Sequence, residues 1–143
     1  LYFYILDHII EDFTANLEND IKNLHGDIFE RIMQYAELEF SWYSQNPEKY
    51  RLFRKAFAKN DTEIYKETEA RYTLAGEVIF YALFEDVNAD LFKGEKEKVL
   101  DIIKWILKGL NEEFIEQTRT QDNISDVKDE YLRHLRGYME LLQ

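Results

Sequence analysis

A chain of 143 residues, 45% hydrophobic and 15% aromatic, has the length of one globular domain and can hold a core without disulfides or a structural metal. Its 18 basic against 29 acidic residues leave a net charge of -11, which sets these residues against nucleic acid, since DNA affinity comes largely from Lys and Arg neutralising phosphates. The absence of cysteine excludes thiolate metal sites and thiol nucleophiles, and the longest apolar run, Leu1 to Leu6, is far below the ~20 residues of a membrane span.

One proline and five glycines leave few turns, and no series of short alternating strands is present, so the chain reads as all-α with about six helices in a single domain. The first helix is predicted from the start to about Leu24, with Ile5, Ile9, Phe13, Leu17, Ile21 and Leu24 on one stripe. It opens without a methionine and with no capping residue before it, so an upstream segment is expected. Gly26 fits a helix-ending position, and Asp27 with Glu30 has capping-box spacing for a second helix to about Gln45. That helix is apolar over more than one stripe, from Ile28 through Ile32, Tyr35 and Phe40 to Trp42 and Tyr43, which predicts packing on more than one side.

Asn46-Pro47 reads as an N-cap followed by proline at the first helical position, opening a short third helix to about Ala58. Asn60 and Glu63 repeat the capping-box spacing and start a long fourth helix to about Glu85, apolar at Tyr65, Thr68, Tyr72, Ala75, Ile79 and Leu83. Asn88 to Lys93 is a loop or short turn closed by Gly94, and a fifth helix spans about Glu95 to Gln117. Asp122, Asn123 and Ser125 mark a break before the last helix, striped by Val127, Tyr131, Leu132, Leu135, Tyr138, Met139 and Leu142.

The last two helices have more apolar surface than one core-facing stripe requires, and each contains an interior glycine, Gly109 and Gly137, at a cost of ~1 kcal/mol relative to alanine. Close backbone approach to another helix would offset that cost, as in a four-helix bundle built from two copies about a two-fold axis. The homodimer interface then includes Ile103, Ile106, Gly109, Leu110 and Phe114 of the fifth helix with Tyr131, Leu135, Gly137, Tyr138 and Leu142 of the last. The alternative is that both glycines are merely tolerated and the apolar width is intramolecular core.

Catalytic constellations are scarce. His8, His25 and His134 are the only histidines and none has a Glu three residues before it, so the Glu-x-x-His pair of di-iron bundles is absent, as are His-Glu-x-x-His, Gly-x-x-x-x-Gly-Lys and Gly-x-Ser-x-Gly. Carboxylate pairs such as Glu37 with Glu39 read as solvated helix faces. No enzyme, metal or cofactor is expected. The aromatic supply of ten Tyr, ten Phe and two Trp points instead to apolar pockets between helices, with Glu69 on one face of the fourth helix beside Tyr65, Tyr72 and Gly76. Glu69 is either a carboxylate at the rim of that aromatic face or a solvent-facing partner of Arg71, Arg54 or Lys66.

The element order, with Leu1-Tyr2-Phe3-Tyr4-Ile5-Leu6-Asp7-His8-Ile9-Ile10, Asn46-Pro47-Glu48-Lys49-Tyr50-Arg51-Leu52-Phe53-Arg54 and Ile103-Lys104-Trp105-Ile106-Leu107-Lys108-Gly109-Leu110, resembles the C-terminal ligand-binding and dimerisation domain of TetR-family transcriptional regulators over essentially the whole chain. The resemblance implies a one-component repressor or activator. DNA would be bound only through an upstream helix-turn-helix head, and a small-molecule effector would shift the first helix and change head spacing. Phe40, Tyr43, Phe53, Phe57, Tyr65, Glu69, Tyr72 and Trp105 are the expected pocket lining, suited to a lipophilic or aromatic effector. A cytoplasmic location and no membrane partner are expected. The competing expectation is a helical interaction module whose acidic surface binds a basic protein, with no small-molecule pocket.

Overall fold

The computed structural model describes residues 2–56, 62–85, 87–118 and 124–143. Those residues form six α-helices and no strand: α1 (Tyr2–Ile21), α2 (Ile28–Gln45), α3 (Pro47–Ala56), α4 (Thr62–Phe84), α5 (Lys96–Thr118) and α6 (Ile124–Leu142). A short 3-10 turn, Ala89–Leu91, precedes α5. No helix among the described residues is long and apolar enough to cross a membrane. The chain divides into two compact units, Leu1–Leu24 with Glu37–Glu85 and His25–Ala36 with Asp86–Gln143, so α2 contributes its first part to one unit and its remainder to the other.

Helix ends follow their local chemistry. α1 stops at Ile21 rather than Leu24 because the next amides turn to closer carbonyls: Asn23 N–H donates to Asp20 O and Leu24 N–H to Ile21 O. Gly26 therefore does not cap α1; it sits in the turn that leads into α2, with φ +94. There the Glu30 N–H donates to Asp27 Oδ1 at 2.9 Å and the Asp27 N–H to Glu30 Oε1 at 3.5 Å, the reciprocal capping box expected from the spacing. The same segment is clamped by Gln34, whose amide accepts from the His25 N–H at 3.2 Å and donates to the His25 carbonyl at 2.9 Å.

Asn46 departs from its expected role. Its carbonyl accepts the first bond of α3, from the Tyr50 N–H at 3.0 Å, but its side-chain amide turns back to donate to Trp42 O at 3.0 Å and satisfies the end of α2 instead. The Asn60 cap and the Asp122 and Asn123 break lie outside the described residues.

In the first unit α1 packs on α4 and α3, and α3 on α4. Leu6, Ile9, Ile10, Phe13 and Leu17 of α1 are buried, as are Thr68, Ile79 and Leu83 of α4. Lys49 of α3 reaches Asp12 of α1 at 2.8 Å, and Arg71 of α4 bridges to Asp7 of α1 and to Glu67 on its own helix while lying over the Phe3 ring.

In the second unit α5 packs against α6. Val99, Ile103, Leu107, Leu110, Phe114 and Thr118 of α5 and Val127, Tyr131, Leu135 and Met139 of α6 are buried, at the three- and four-residue spacing of one helix face. The Phe114 and Tyr131 rings meet edge to face at 6.0 Å, the Tyr131 hydroxyl donates to Asn111 Oδ1 at 2.7 Å, and the Lys93 N–H donates to Leu142 O at 3.0 Å. The last of these ties the end of α6 to the segment before α5.

A Cβ added at Gly26 would lie 2.7 Å from Glu30 Oε2, in the space of the capping carboxylate, on a backbone that L-residues disfavour. Gly26→Ala is expected to lower stability by about 1–2 kcal/mol, read as a lower urea midpoint at unchanged slope.

Candidate functional site

The first unit encloses a small cavity, and each helix contributes to it through its buried face. α1 supplies Ile9, Ile10 and Phe13; α2 supplies Trp42 and Tyr43 from its last turns; α3 supplies Phe53; and α4 supplies Tyr72 and Ala75. The six wall residues from α1 to α3 are buried, whereas Tyr72 and Ala75 are half-buried, which places the approach from solvent on the α4 side. The free space between these side chains is about 10 Å³, room for about one water molecule.

Aromatic rings make most of the wall. Phe13 stacks parallel to Tyr43 with centroids 6.0 Å apart and meets Trp42 edge to face at 5.0 Å. Tyr43 touches Tyr50 at 4.5 Å, and Phe53 touches Tyr72 at 5.4 Å. These are the offset and tilted arrangements that ring quadrupoles favour.

Two polar features border this apolar space. The Tyr43 hydroxyl donates to Glu39 Oε2 at 3.2 Å, and Glu39 is only 4% exposed. Glu39 was expected on a solvated face with Glu37, but residues two apart on a helix point in different directions, and only Glu37 is exposed. The Trp42 indole N–H is buried and has no hydrogen-bond partner among the described residues, and neither have the hydroxyls of Thr14, which follows Phe13, and Thr68, one turn before Tyr72. Arg71, next to Tyr72 in sequence, has its pKa raised, mainly by the hydrogen bond to Asp7 and against the opposing effect of burial. Its charge is therefore committed to Asp7 and Glu67.

Of the expected lining residues, Tyr43, Phe53 and Tyr72 come together at the cavity. Phe40 is buried behind it, edge-on to Tyr43 at 6.1 Å. Tyr65 and Glu69 are half-buried on the preceding turns of α4 and do not form the wall. Phe57 lies outside the described residues. Trp105 belongs to the other unit and is 69% exposed. Sequence reasoning missed Ile9, Ile10, Phe13, Trp42 and Ala75 as wall residues. Their signal was present as apolar helical spacing, which core and cavity share.

The residues expected at a dimer interface separate into two groups. Ile103, Leu110, Phe114, Tyr131 and Leu135 are buried in the chain itself, because they form the face on which α5 and α6 pack. Ile106 and Leu142 are half-buried; Gly109, Gly137 and Tyr138 are exposed. Ile102, Trp105 and Leu141 are exposed beside them, so an apolar stripe runs along each helix with a glycine in it. A Cβ at Gly109 or Gly137 would meet nothing within 4 Å among the described residues, so neither glycine answers to a close approach there. Among the described residues no three Asp, Glu or His side chains converge as a metal site.

Phe53→Ala is expected to destabilise the fold by about 3–5 kcal/mol, whereas Leu52→Ala, at a side chain 45% exposed, should stay within about 0.5 kcal/mol; urea unfolding of both variants checks the contrast. Comparison with family models, with curated proteins and with solved structures gives no match for this chain.

Proposed function

We propose that this chain is the effector-binding and dimerisation domain of a TetR-like transcriptional regulator, in which a small lipophilic or aromatic molecule controls DNA binding by a helix-turn-helix head upstream. The observation that supports the reading best is the pair of exposed apolar stripes on α5 and α6, each with a glycine open to its surroundings. On α5, Ile102, Trp105, Ile106 and Gly109 follow the spacing of one helix face; on α6, Gly137, Tyr138 and Leu141 do the same. A second copy supplies the same stripes with two-fold symmetry and converts two hairpins into a four-helix bundle, with the glycines at the points of closest approach.

The cavity of the first unit is the effector site in this reading. A molecule larger than water enters by displacing wall side chains, from the side of the half-buried Tyr72 and Ala75. Because Ile9, Ile10 and Phe13 are part of the wall, parting it displaces α1, the helix that would connect to the head. Control follows only if the effector binds one head spacing more tightly than the other; equal affinity for both shifts nothing.

A second reading, a helical interaction module with no small-molecule site, is favoured by the small free volume of the cavity. The two readings differ over the cavity, and a helical interaction module can also pair with its own kind.

Trp105→Glu combined with Tyr138→Glu places charge in both stripes without touching the α5–α6 core. Sedimentation velocity at micromolar concentration should show a dimer for the parent chain and a monomer for the double variant, with unchanged helical circular dichroism. A parent chain that sediments as a monomer would remove the regulator reading.

A further inference from the structure

We infer that the partner subunit lies end for end on the α5–α6 hairpin, about a two-fold axis perpendicular to the helices, so that α5 packs antiparallel on α5 and α6 on α6. This rests on the pairing proposed above, which leaves the orientation open: an axis along the helices also gives a four-helix bundle, with like ends together and α5 on α6.

The two exposed stripes form one surface. Glu113 and Gln117 of α5 and Glu130 and His134 of α6 border a groove floored by Leu110, Phe114 and Tyr131. Steps of three and four residues lead from Glu113 to Gly109, Ile106 and Ile102, and from Glu130 through His134 to Gly137 and Leu141. Both stripes therefore continue the rims of the same groove and face the same way. They are also level. The Phe114 and Tyr131 rings meet at 6.0 Å. Seven residues back along α5 is Leu107, midway between Trp105 and Gly109, and seven residues on along α6 is Tyr138, beside Gly137. Equal steps of about 10 Å in antiparallel helices bring these centres to one height, where a single axis crosses both.

Charge decides the orientation. Up to Lys108, α5 has Lys96, Lys98, Lys104 and Lys108 against Glu97 and Asp101; beyond it come Glu112, Glu113 and Glu116 and no basic residue. α6 begins with Asp126, Asp129 and Glu130 against Lys128, and continues with Arg133 and Arg136 against Glu140. The helices are antiparallel, with Phe114 on Tyr131 at one end and the Lys93 N–H on Leu142 O at the other, so like charge collects at like ends. The end built from late α5 and early α6 has five net negative charges, and the opposite end has three net positive ones. An axis along the helices sets each acidic end beside its twin. An axis across them sets the acidic end of one copy on the basic end of the other, the arrangement that opposite charges favour and like charges do not oppose. Size agrees with charge. About an axis level with Leu107, the exposed Trp105 falls on Gly109 of the partner subunit and the exposed Tyr138 on Gly137 of the partner subunit, each large side chain opposite a residue with none.

The test uses the whole chain, which has no cysteine, with one spin label at a time at Lys98→Cys, Lys108→Cys or Glu116→Cys, three exposed sites on α5. Lys98 and Glu116 lie nine residues either side of Leu107, so end-for-end pairing separates the two labels of a dimer by about 27 Å along the bundle at either site, against about 3 Å at Lys108. Electron–electron dipolar spectroscopy should give its shortest distance at Lys108→Cys and longer, matching distances at the other two. Closely similar distances at all three sites mean like ends together; they overturn the arrangement and leave the dimer standing. No intersubunit distance at any site means a monomer, which removes the regulator reading and this inference with it.

A second measurement tests the charge. A chain carrying Lys98→Glu, Lys104→Glu, Lys108→Glu, Glu112→Lys, Glu113→Lys and Glu116→Lys keeps the net charge of -11. With its fold checked by circular dichroism, it is isotope-labelled and mixed with the parent chain. Each should pair with its own kind, leaving mixed dimers at about a tenth of the total by native mass spectrometry instead of the statistical half. Mixed dimers at half or more overturn charge as the cause of the arrangement. If the swapped chain does not fold, the label distances decide.

Discussion

The Tyr43 ring is the point on which the first unit depends. It stacks on Phe13 of α1, meets Phe40 and Trp42 of its own helix, and packs on Tyr50 of α3, while its hydroxyl is held by the buried Glu39. A ring fixed on several sides and at its polar tip sets the positions of α1 and α3 together. The Phe53–Tyr72 pair then carries the same packing to α4. Flat rings meeting at angles of 3°, 34° and 59° do not fill space completely, and the cavity lies among them. Interiors are otherwise close-packed, so anything larger than a water that occupies this space has to displace side chains of its wall, and Phe13 ties that wall to the first helix.

The second unit has a different logic. α5 and α6 use one face each on the other, through Ile103, Leu107, Leu110, Phe114, Tyr131 and Leu135, and Tyr131 adds a hydrogen bond to Asn111. Ile102, Trp105, Tyr138 and Leu141 are left over on the outside. Single exposed apolar residues are ordinary, whereas a stripe on two neighbouring helices is the feature on which the proposed pairing rests. In the proposed regulator the two units divide the work: one senses the molecule and the other holds the pair of subunits together.

Much of the fold was legible in the sequence because helical chemistry is local. The Asp27–Glu30 capping box was readable from spacing alone, as was the α4 row Thr68, Tyr72, Ala75, Ile79 and Leu83, buried at Thr68, Ile79 and Leu83 and half-buried between; the apolar stripes of α5 and α6 were readable too, although Ile103, Leu110, Phe114, Tyr131 and Leu135 were expected at a dimer interface and are buried in the chain itself. What failed depended on tertiary placement. Asn46 has the composition of an N-cap, yet which helix end its amide serves is set by the tight α2–α3 junction. Glu39 and Trp105 are the clearest cases, a carboxylate buried where solvent was expected and an indole exposed where a pocket was expected. Residue type and periodicity do not distinguish a ring that lines a cavity from one that fills a core or covers a partner. For the same reason Tyr43, Phe53 and Tyr72 could be named, while Ile9, Ile10 and Phe13 of α1 could not.

If one chain both pairs with itself and holds a small apolar molecule, native mass spectrometry of the protein as purified reports both at once. The expected result is a dimer mass with an added mass that is shed on denaturation. A monomer without added mass at micromolar concentration would contradict it.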